Sequence, residues 1–202
     1  MEETLVFIDE GFLSKISKFF GEGKYLRFDK IQFSKDVARK ENLFCKHIFY
    51  YTAPPFQSGK PTELEIKMKR GYDKFIKSLN KNKIITIREG RVQKIFNEKG
   101  ELQFKQKGVD TLMTMDLGRI KDDFPEIKKI IIISSDTDFC PIIRNIRQKD
   151  KIKVILGTYF DKKRKSEFSL SNELIDCCEK YFKLNKQDLI KEVKNDTTGV
   201  PW

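Results

Sequence analysis

Two aspartates stand just after a run of four isoleucines, and they are the residues of this chain best suited to chemistry. The isoleucines occupy residues 130–133, two serines follow, and then come Asp136 and Asp138. An unbroken apolar run of this length is typical of a strand buried on both faces of a parallel sheet. Acids at the carboxyl end of such a strand lie where open α/β sheets place their ligand sites. Their hard oxygen atoms predict a site for Mg²⁺ or Mn²⁺.

Another aspartate follows an apolar run near the start of the chain. Residues 5–8 read Leu-Val-Phe-Ile, and Asp9 comes directly after them. If the two strands are neighbours where the strand order reverses, Asp9 and Asp136 lie about 4.8 Å apart, the spacing between strands. Carboxylates that close repel each other and resist ionisation unless a cation lies between them. The pair therefore predicts a divalent ion held by acids from distant parts of the chain.

A further acid, Asp110, stands at the start of a helix that we predict over residues 109–120. Helices in such folds run back against the strands, so the amino end of this helix should lie at the same sheet edge. Asp110 then either joins the acidic site or caps its own helix, where the helix dipole favours a negative charge. Asp138 either ligates the metal, caps the helix that follows, or does both through a water molecule. Asp116 lies about 9 Å further along the helix and is turned away, which favours a structural role.

Alternating strands and helices carry these acids. Runs rich in β-branched and aromatic residues predict strands, and capping signals such as Asp29, Thr62 with Glu65, and Pro141 predict helix starts. Two alternating segments around residues 97–100 predict a β-hairpin insertion near residues 91–106. This order predicts an α/β fold, a mostly parallel sheet with helices on both faces. The predicted strands are residues 5–8, 44–51, 83–88, 130–133 and 153–156, and the longer predicted helices are residues 12–20, 30–41, 63–80, 109–120 and 170–182.

Length and composition indicate one domain. The chain has 202 residues, 39% of them hydrophobic, which is enough for a single core. We assign residues 1–184 to the domain and residues 185–202 to a polar tail with a short helix near residues 186–194. No stretch is long and apolar enough to span a bilayer, and no charged-then-apolar leader opens the chain. We therefore expect no membrane association and an intracellular, cytoplasmic protein.

The spacing of the cysteines disfavours a zinc site, and the position of the DxD motif along the chain disfavours a phosphatase. The four cysteines form no CxxC pair, and His47 is the one histidine, so no standard zinc set exists. His47 is either a general base or a strand residue, and its alternating apolar neighbours favour the strand. We predict that Cys45 and Cys140 are core thiols and that Cys177 and Cys178 lie in a helix. A DxD after a strand also occurs in phosphatases of the haloacid dehalogenase type, on the first strand of the core. Only 64 residues follow Asp138 here, too few to complete that core.

The excess of basic residues has two interpretations. The formal net charge is +11, and residues 60–107 hold 14 basic and 6 acidic side chains. A second basic cluster lies at residues 162–165. The excess is either an ordinary solvated surface or a footprint for a phosphate backbone. Acids gathered at one point of a basic molecule favour the second, because a polyanion needs positive surface and a metal needs carboxylates.

Several motifs, in their order along the chain, resemble the NYN domain family in its LabA-like branch. They are Asp9 after its strand, Tyr-Tyr-Thr-Ala-Pro-Pro at 50–55, residues 88–94, Lys-Gly-Val-Asp at 107–110, Ser-Ser-Asp-Thr-Asp-Phe at 134–139 and the helix start at 171–174. The likeness covers about residues 4–184, and the ordered set is specific although each motif alone is not. This family is similar to PIN-type nucleases. The resemblance implies a Rossmann-like three-layer α/β/α sandwich.

The resemblance also implies a function, a metal-dependent endoribonuclease that hydrolyses RNA phosphodiester bonds with Mg²⁺ or Mn²⁺. The residues that match the family's acidic positions, as catalytic and metal-binding groups, are Asp9, Asp110, Asp136 and Asp138. Two positions depart from the pattern. Phe12 stands where the family usually has asparagine, and Ser135 where glycine is common. Phe12 motivates the alternative hypothesis, an RNA-binding or regulatory module with little turnover, which could act as a homodimer.

The RNA, single-stranded or structured, would be held through its phosphates and bases. Tyr51 or Phe56 is a candidate for stacking on an unpaired base, or else packs in the core. The candidates for phosphate contacts are Lys60, Arg88, Arg91, Lys94 and Lys107.

Overall fold

The structure is a computed structural model that describes residues 1–161, 168–169 and 171–190. Its strands are β1 (Glu2–Asp9), β2 (Leu43–Thr52), β3 (Ile85–Glu89), β4 (Arg91–Phe96), β5 (Leu102–Lys107), β6 (Lys129–Ile133), β7 (Lys153–Thr158) and β8 (Lys180–Lys183). Its helices are α1 (Glu10–Phe20), α2 (Lys30–Lys40), α3 (Glu63–Leu79), α4 (Val109–Gly118), α5 (Ile120–Asp123), α6 (Cys140–Lys149), α7 (Asn172–Cys177) and α8 (Lys186–Ile190), with a 3₁₀ turn at Thr137–Phe139.

Six of the strands form one parallel sheet in the order β3-β2-β1-β6-β7-β8. The order reverses between β1 and β6, which are direct neighbours with Ile8 opposite Ile133. Ligand sites of open α/β sheets lie at such a reversal point, outside the carboxyl ends of the strands. The predicted Rossmann-like α/β fold is confirmed, and so is the adjacency of the two strands that carry the acids.

The apolar core lies on both faces of the sheet. In β1, Leu5 and Phe7 pack on one side, with α4, α6 and α7, whereas Val6 and Ile8 pack on the other, with α1, α2 and α8. The isoleucines of β6 alternate in the same way, and all four are fully buried. This is the three-layer α/β/α arrangement, and it explains why these strands are continuously apolar.

Helix starts follow the capping signals of the sequence. Asp29 accepts hydrogen bonds from the backbone N–H groups of Ile31 and Gln32 at the start of α2. Thr62 and Glu65 form a reciprocal capping box at the start of α3. Pro141 lies in the first turn of α6. These predicted starts are confirmed.

The predicted hairpin is present as a separate two-stranded sheet of β4 and β5. Its root is tied to the main sheet, because the Gly90 N–H donates to the Thr52 carbonyl at 2.8 Å. A Cβ at Gly90 would lie 2.5 Å from the Lys107 carbonyl oxygen and 2.7 Å from Val109 Cγ2. Only glycine allows this close approach, so β4 and β5 leave the sheet side by side at its carboxyl edge.

The last predicted helix, residues 170–182, is wrong in its second half. Helix α7 ends at Cys177, and β8 then pairs with β7 at the edge of the sheet. The Glu179 N–H donates to the Val154 carbonyl and the Leu184 N–H to the Thr158 carbonyl. The edge of β7 would otherwise leave backbone groups unpaired, and this pairing outweighs the local helical pattern.

The described chain continues past the predicted domain boundary at residue 184. Helix α8 buries Leu189 against the core beside α1 and α2, and Asp188 pairs with Lys40. The division into a domain of residues 1–184 and a tail of residues 185–202 stays a prediction. Residues 191–202 and the basic cluster at residues 162–165 lie outside the described residues. Within the described chain, no helix has the length and apolar character needed to cross a membrane.

Candidate metal centre and nucleic-acid interface

Asp9 ends β1 and is also the N-cap of α1. Its Oδ1 accepts a hydrogen bond from the Phe12 backbone N–H at 3.2 Å, and its Oδ2 accepts one from the Ser134 hydroxyl at 3.0 Å. A carboxylate has about four lone-pair positions, so each oxygen keeps one for a further ligand. The Asp9 side chain is thus oriented by α1 and by the loop after β6, and its oxygens still have lone pairs free for a metal ion.

Ser134 joins the two strands that carry the acids. It is fully buried, donates to Asp9, and accepts a hydrogen bond from the Asp136 backbone N–H at 3.1 Å. Asp136 in turn accepts from the Asp138 N–H at 2.9 Å, which caps the 3₁₀ turn. One chain of hydrogen bonds therefore sets the positions of Asp9, Asp136 and Asp138. We did not predict this role of Ser134, although a small hydroxyl residue between a strand and its acids was a signal.

Asp110 and Asp138 are not helix caps. Helix α4 begins after Gly108, whose φ of 81° suits glycine, and Asp110 lies in its first turn without a side-chain capping bond. Helix α6 has Phe139 at its N-cap and no side-chain cap either. Capping by the side chain is therefore wrong for both residues, whereas Asp110 does lie in the first turn of α4, where the helix dipole acts. Each is exposed, Asp110 beside a helix amino end that favours its charge.

The acids influence each other's ionisation. Burial raises the pKa of Asp9 to about 6, and the negative charges of Asp110 and Asp136 add to the increase. The pKa of Asp110 is also raised, first by partial desolvation of its carboxyl group and then by the charges of Asp136 and Asp138. The four predicted acids thus form one electrostatically coupled group at the carboxyl edge of the sheet. A cation at this point would relieve the repulsion and the cost of burying Asp9.

The donor set suits an ion that keeps water in its shell rather than one enclosed by protein. In the described part of the chain, no three His, Cys, Asp or Glu side chains are arranged so that they could hold a metal ion together. Mg²⁺ commonly uses one or two carboxylates and completes its shell with water and substrate phosphates. Asp9 and Asp136, both fixed by hydrogen bonds, meet that smaller requirement. The residues present therefore fit Mg²⁺ or Mn²⁺, and their service as ligands stays a prediction.

Phe12 contributes its backbone, and not its side chain, to the acidic site. Its side chain is buried in the core, 4% exposed, so only its backbone N–H reaches Asp9. Gly11 marks the approach of another residue. A Cβ built there would lie 3.2 Å from Asp9 Oδ1 and 3.4 Å from Oε1 of Gln106. Gln106 on β5 therefore brings a carboxamide to the acidic site, and no sequence signal that we used indicated it.

A half-buried charge pair lies beside the site. Glu10 directly follows Asp9, accepts a hydrogen bond from the Ser14 hydroxyl, and has Lys30 Nζ at 3.9 Å. Burial lowers the pKa of Lys30, and the Glu10 charge opposes that shift. This pair binds α2 to the start of α1, next to the acid that α1 carries.

Arg88, predicted to contact phosphate, is held by Asp116. Two guanidinium N–H groups donate to the Asp116 carboxylate at 2.9 and 3.0 Å, and the Tyr51 hydroxyl donates to the same carboxylate at 2.9 Å. The structural role predicted for Asp116 is confirmed. Tyr51 is fully buried, so its predicted stacking on a base is wrong, because a buried ring has no free face. Phe56 is half-buried and contacts the ring of Phe104.

The other predicted phosphate contacts are exposed cations, three of them on the hairpin strands and one in the loop before α3. In the described structure none of them has an acidic side chain within salt-bridge distance. They are available to an anion, and their contacts with RNA stay a prediction. These residues are Lys60, Arg91, Lys94 and Lys107.

The cysteines and the histidine lie apart from this chemistry. All four cysteines are buried and free, which confirms the core placement of Cys45 and Cys140. Cys177 ends α7 and Cys178 follows it. His47 is a strand residue of β2, as predicted, and its Nε2 lies 2.8 Å from the Thr86 hydroxyl.

Comparison with known proteins decides the family. The model of the NYN domain matches residues 4–185, nearly the whole described chain. This chain belongs to the NYN domain family. The match covers the acidic edge, the hairpin and all six strands of the sheet, and it gives this NYN protein the PIN-like fold that its topology shows. The match does not specify the LabA-like branch, which stays a prediction.

Solved structures support the fold alone. A crystal structure of a protein of unknown function from Vibrio parahaemolyticus has a TM-score of 0.56 with this NYN protein at 16% sequence identity, covering 93% of this chain and 95% of that one. Identity this low carries no argument about activity. A search of curated proteins found no match.

Proposed function

We propose that this NYN protein is a metal-dependent endoribonuclease that hydrolyses RNA phosphodiester bonds at the carboxyl edge of its sheet. The observation that carries the proposal is the hydrogen-bonded link from Asp9 through Ser134 to Asp136, with Asp110 coupled to both by charge. Membership of a family with a PIN-like fold supports it. So does the net charge of +11 of the whole chain, which is strongly basic although these acids are gathered here.

The acids would hold the ion, and the basic residues would hold the substrate. The proposed ligands are Asp9, Asp110, Asp136 and Asp138. A bound Mg²⁺ or Mn²⁺ supplies activation of water at neutral pH and stabilises charge on the departing oxygen.

The side chains themselves provide position and charge. Ser134 keeps Asp9 oriented toward the site, and its hydrogen bond favours the ionised carboxylate. Lys60, Arg91 and Lys94 attract the phosphates of the strand. The guanidinium of Arg88 is held in place, because its Nε and Nη2 donate to Asp116. Its Nη1 remains for a phosphate.

Cleavage of labelled RNA tests the proposal. The wild-type protein should cut single-stranded RNA with Mn²⁺ and lose activity when the ion is chelated. Asp9→Asn and Asp136→Asn should each abolish cleavage, whereas Asp122→Asn, an exposed acid of α5 away from the site, should leave it intact. Circular dichroism establishes that each variant is folded. Cleavage that persists in both site variants would exclude this site as its source.

The second candidate is an RNA-binding or regulatory NYN module with little turnover. It is favoured by Phe12, which is buried where the family usually carries asparagine, and by the lack of a three-acid cage in the described chain. Salt-sensitive RNA binding without cleavage across several divalent metals would establish it. The predicted homodimer and cytoplasmic location belong to either candidate and stay predictions.

A further inference from the structure

The hairpin of β4 and β5 presents aromatic rings and cations beside the acidic site. In an antiparallel pair, directly opposite residues share a face. The register places Val92 opposite Gln106, Lys94 opposite Phe104, and Phe96 opposite Leu102. These six residues therefore form one face, here called the aromatic face of the hairpin.

The aromatic face begins at the acidic site and continues into solvent. At its root, Val92 packs against the core, and Gln106 lies next to Asp9 across Gly11. One step outward, about 7 Å along the strand, Phe104 contacts Phe56 with ring centroids 5.3 Å apart. Phe104 is 55% exposed there, and Phe96, at the outer end of this face, is 68% exposed. Large rings this exposed on a soluble surface indicate a binding function when they line up toward a site.

The other face of the hairpin is basic. Arg91 lies directly opposite Lys107, and Gln93 lies opposite Lys105. Like charges in directly opposed positions destabilise a hairpin. No acidic side chain of the described chain is within salt-bridge distance of Arg91, Lys105 or Lys107. A polyanion along the hairpin would supply the missing negative charge.

We propose that the hairpin is an arm that binds an unpaired RNA strand, with bases stacked on Phe104 and Phe96 and with Gln106 contacting the nucleotide that enters the acidic site. This inference rests on the proposed function for the identity of the substrate and adds to it that the substrate is single-stranded. The exposed aromatic rings favour single-stranded over duplex RNA, because only an unpaired base offers its face to an aromatic side chain. A duplex offers the hairpin phosphates alone.

Binding without divalent ions tests the arm separately from cleavage. The probes are a fluorescein-labelled adenosine oligoribonucleotide and the same strand annealed to its complement, both in EDTA. Phe96→Ala/Phe104→Ala should weaken single-strand binding by at least about 30-fold, since stacking contributes about 1–3 kcal/mol per base and two rings are removed. Duplex binding should not change. The matched control is Phe44→Ala, a ring 56% exposed near the start of β2 at the other edge of the sheet, and it should bind both probes like wild type.

Phe104→Trp keeps a stacking surface, so this variant should bind the single strand with about the affinity of wild type. Unchanged single-strand affinity in the double variant, or an equal loss on both probes, would overturn the arm. The two proposals fail differently. A wild-type protein that binds single strands through these rings but cuts nothing contradicts only the nuclease. A protein that cuts at the same rate with and without the rings contradicts only the arm.

Discussion

At the scale of single residues, burial and two hydrogen bonds set the ionisation of Asp9. Burial raises the pKa of Asp9 to about 6, and the hydrogen bonds from the Phe12 backbone N–H and the Ser134 hydroxyl oppose that increase. Ser134→Ala removes the donor, so we predict that the pKa of Asp9 rises further above its ordinary value. NMR titration of the Asp9 carboxyl carbon in metal-free protein measures this. Ser135→Ala, an exposed neighbour, is the control, and an unchanged Asp9 titration in Ser134→Ala would show that the hydrogen bond has no effect.

The buried charge of Asp9 should also lower stability. Folded protein binds a proton on Asp9 with a pKa of about 6, against 3.8 ordinarily. Below pH 3.8 Asp9 is protonated in both states, so its raised pKa does not lower the free energy of unfolding. As pH rises from there to about 6, the free energy of unfolding falls by about 3 kcal/mol at most. We predict that Asp9→Asn is more stable than wild type in metal-free buffer above this range and equal to it at low pH.

Urea unfolding at both ends of that pH range gives the comparison. Asp122→Asn is the matched control, since the acid it replaces is exposed. The prediction fails if Asp9→Asn is no more stable than wild type above the folded pKa. Addition of Mn²⁺ should stabilise wild type and leave Asp9→Asn unaffected, because an ion that binds only the folded state raises its stability.

At the scale of elements, Asp116 fastens α4 to β2 and β3. It accepts from the buried Tyr51 hydroxyl and from Arg88. We predict that Asp116→Ala lowers the free energy of unfolding by about 1–3 kcal/mol, because it leaves the Tyr51 hydroxyl buried without an acceptor. Chemical denaturation measures the loss. Tyr51→Phe/Asp116→Ala should lose less than the sum of the single variants, and strict additivity would show that the contact is not coupled.

The elements were largely predictable because apolar runs and capping signals are local. The errors arose where tertiary contacts decide. Helix α4 buries Val109, Met113 and Leu117, whereas Met115, which is also apolar, is 59% exposed. Strand β8 forms because β7 has an open edge, which a local helical pattern does not reveal. The candidate site divides in the same way. Acids after strands were visible in the sequence, but Gln106 reaches Asp9 only through the course of the hairpin.

At the scale of the whole molecule, positive charge beside the acids should govern affinity for RNA. Each phosphate contact on a single strand changes the slope of log affinity against log salt by about 0.7. We predict that Arg91→Ala/Lys94→Ala/Lys107→Ala makes this slope shallower by about 2 units. Binding of labelled RNA across a salt series measures it. The control replaces three exposed lysines away from the hairpin, Lys35, Lys128 and Lys149, with alanine, and it should change the slope less. Equal changes in both variants would mean that the net charge of the protein, and not the hairpin, determines the affinity for RNA.

The central claim is that the acids at the reversal point of the sheet bind a divalent ion. Anomalous diffraction from crystals grown with Mn²⁺ tests it most directly, because it locates the ion without reference to activity. We predict an anomalous peak in contact with the carboxylates of Asp9 and Asp136, absent from crystals of Asp9→Asn. A map with manganese elsewhere on the protein and none at these two carboxylates would contradict the claim.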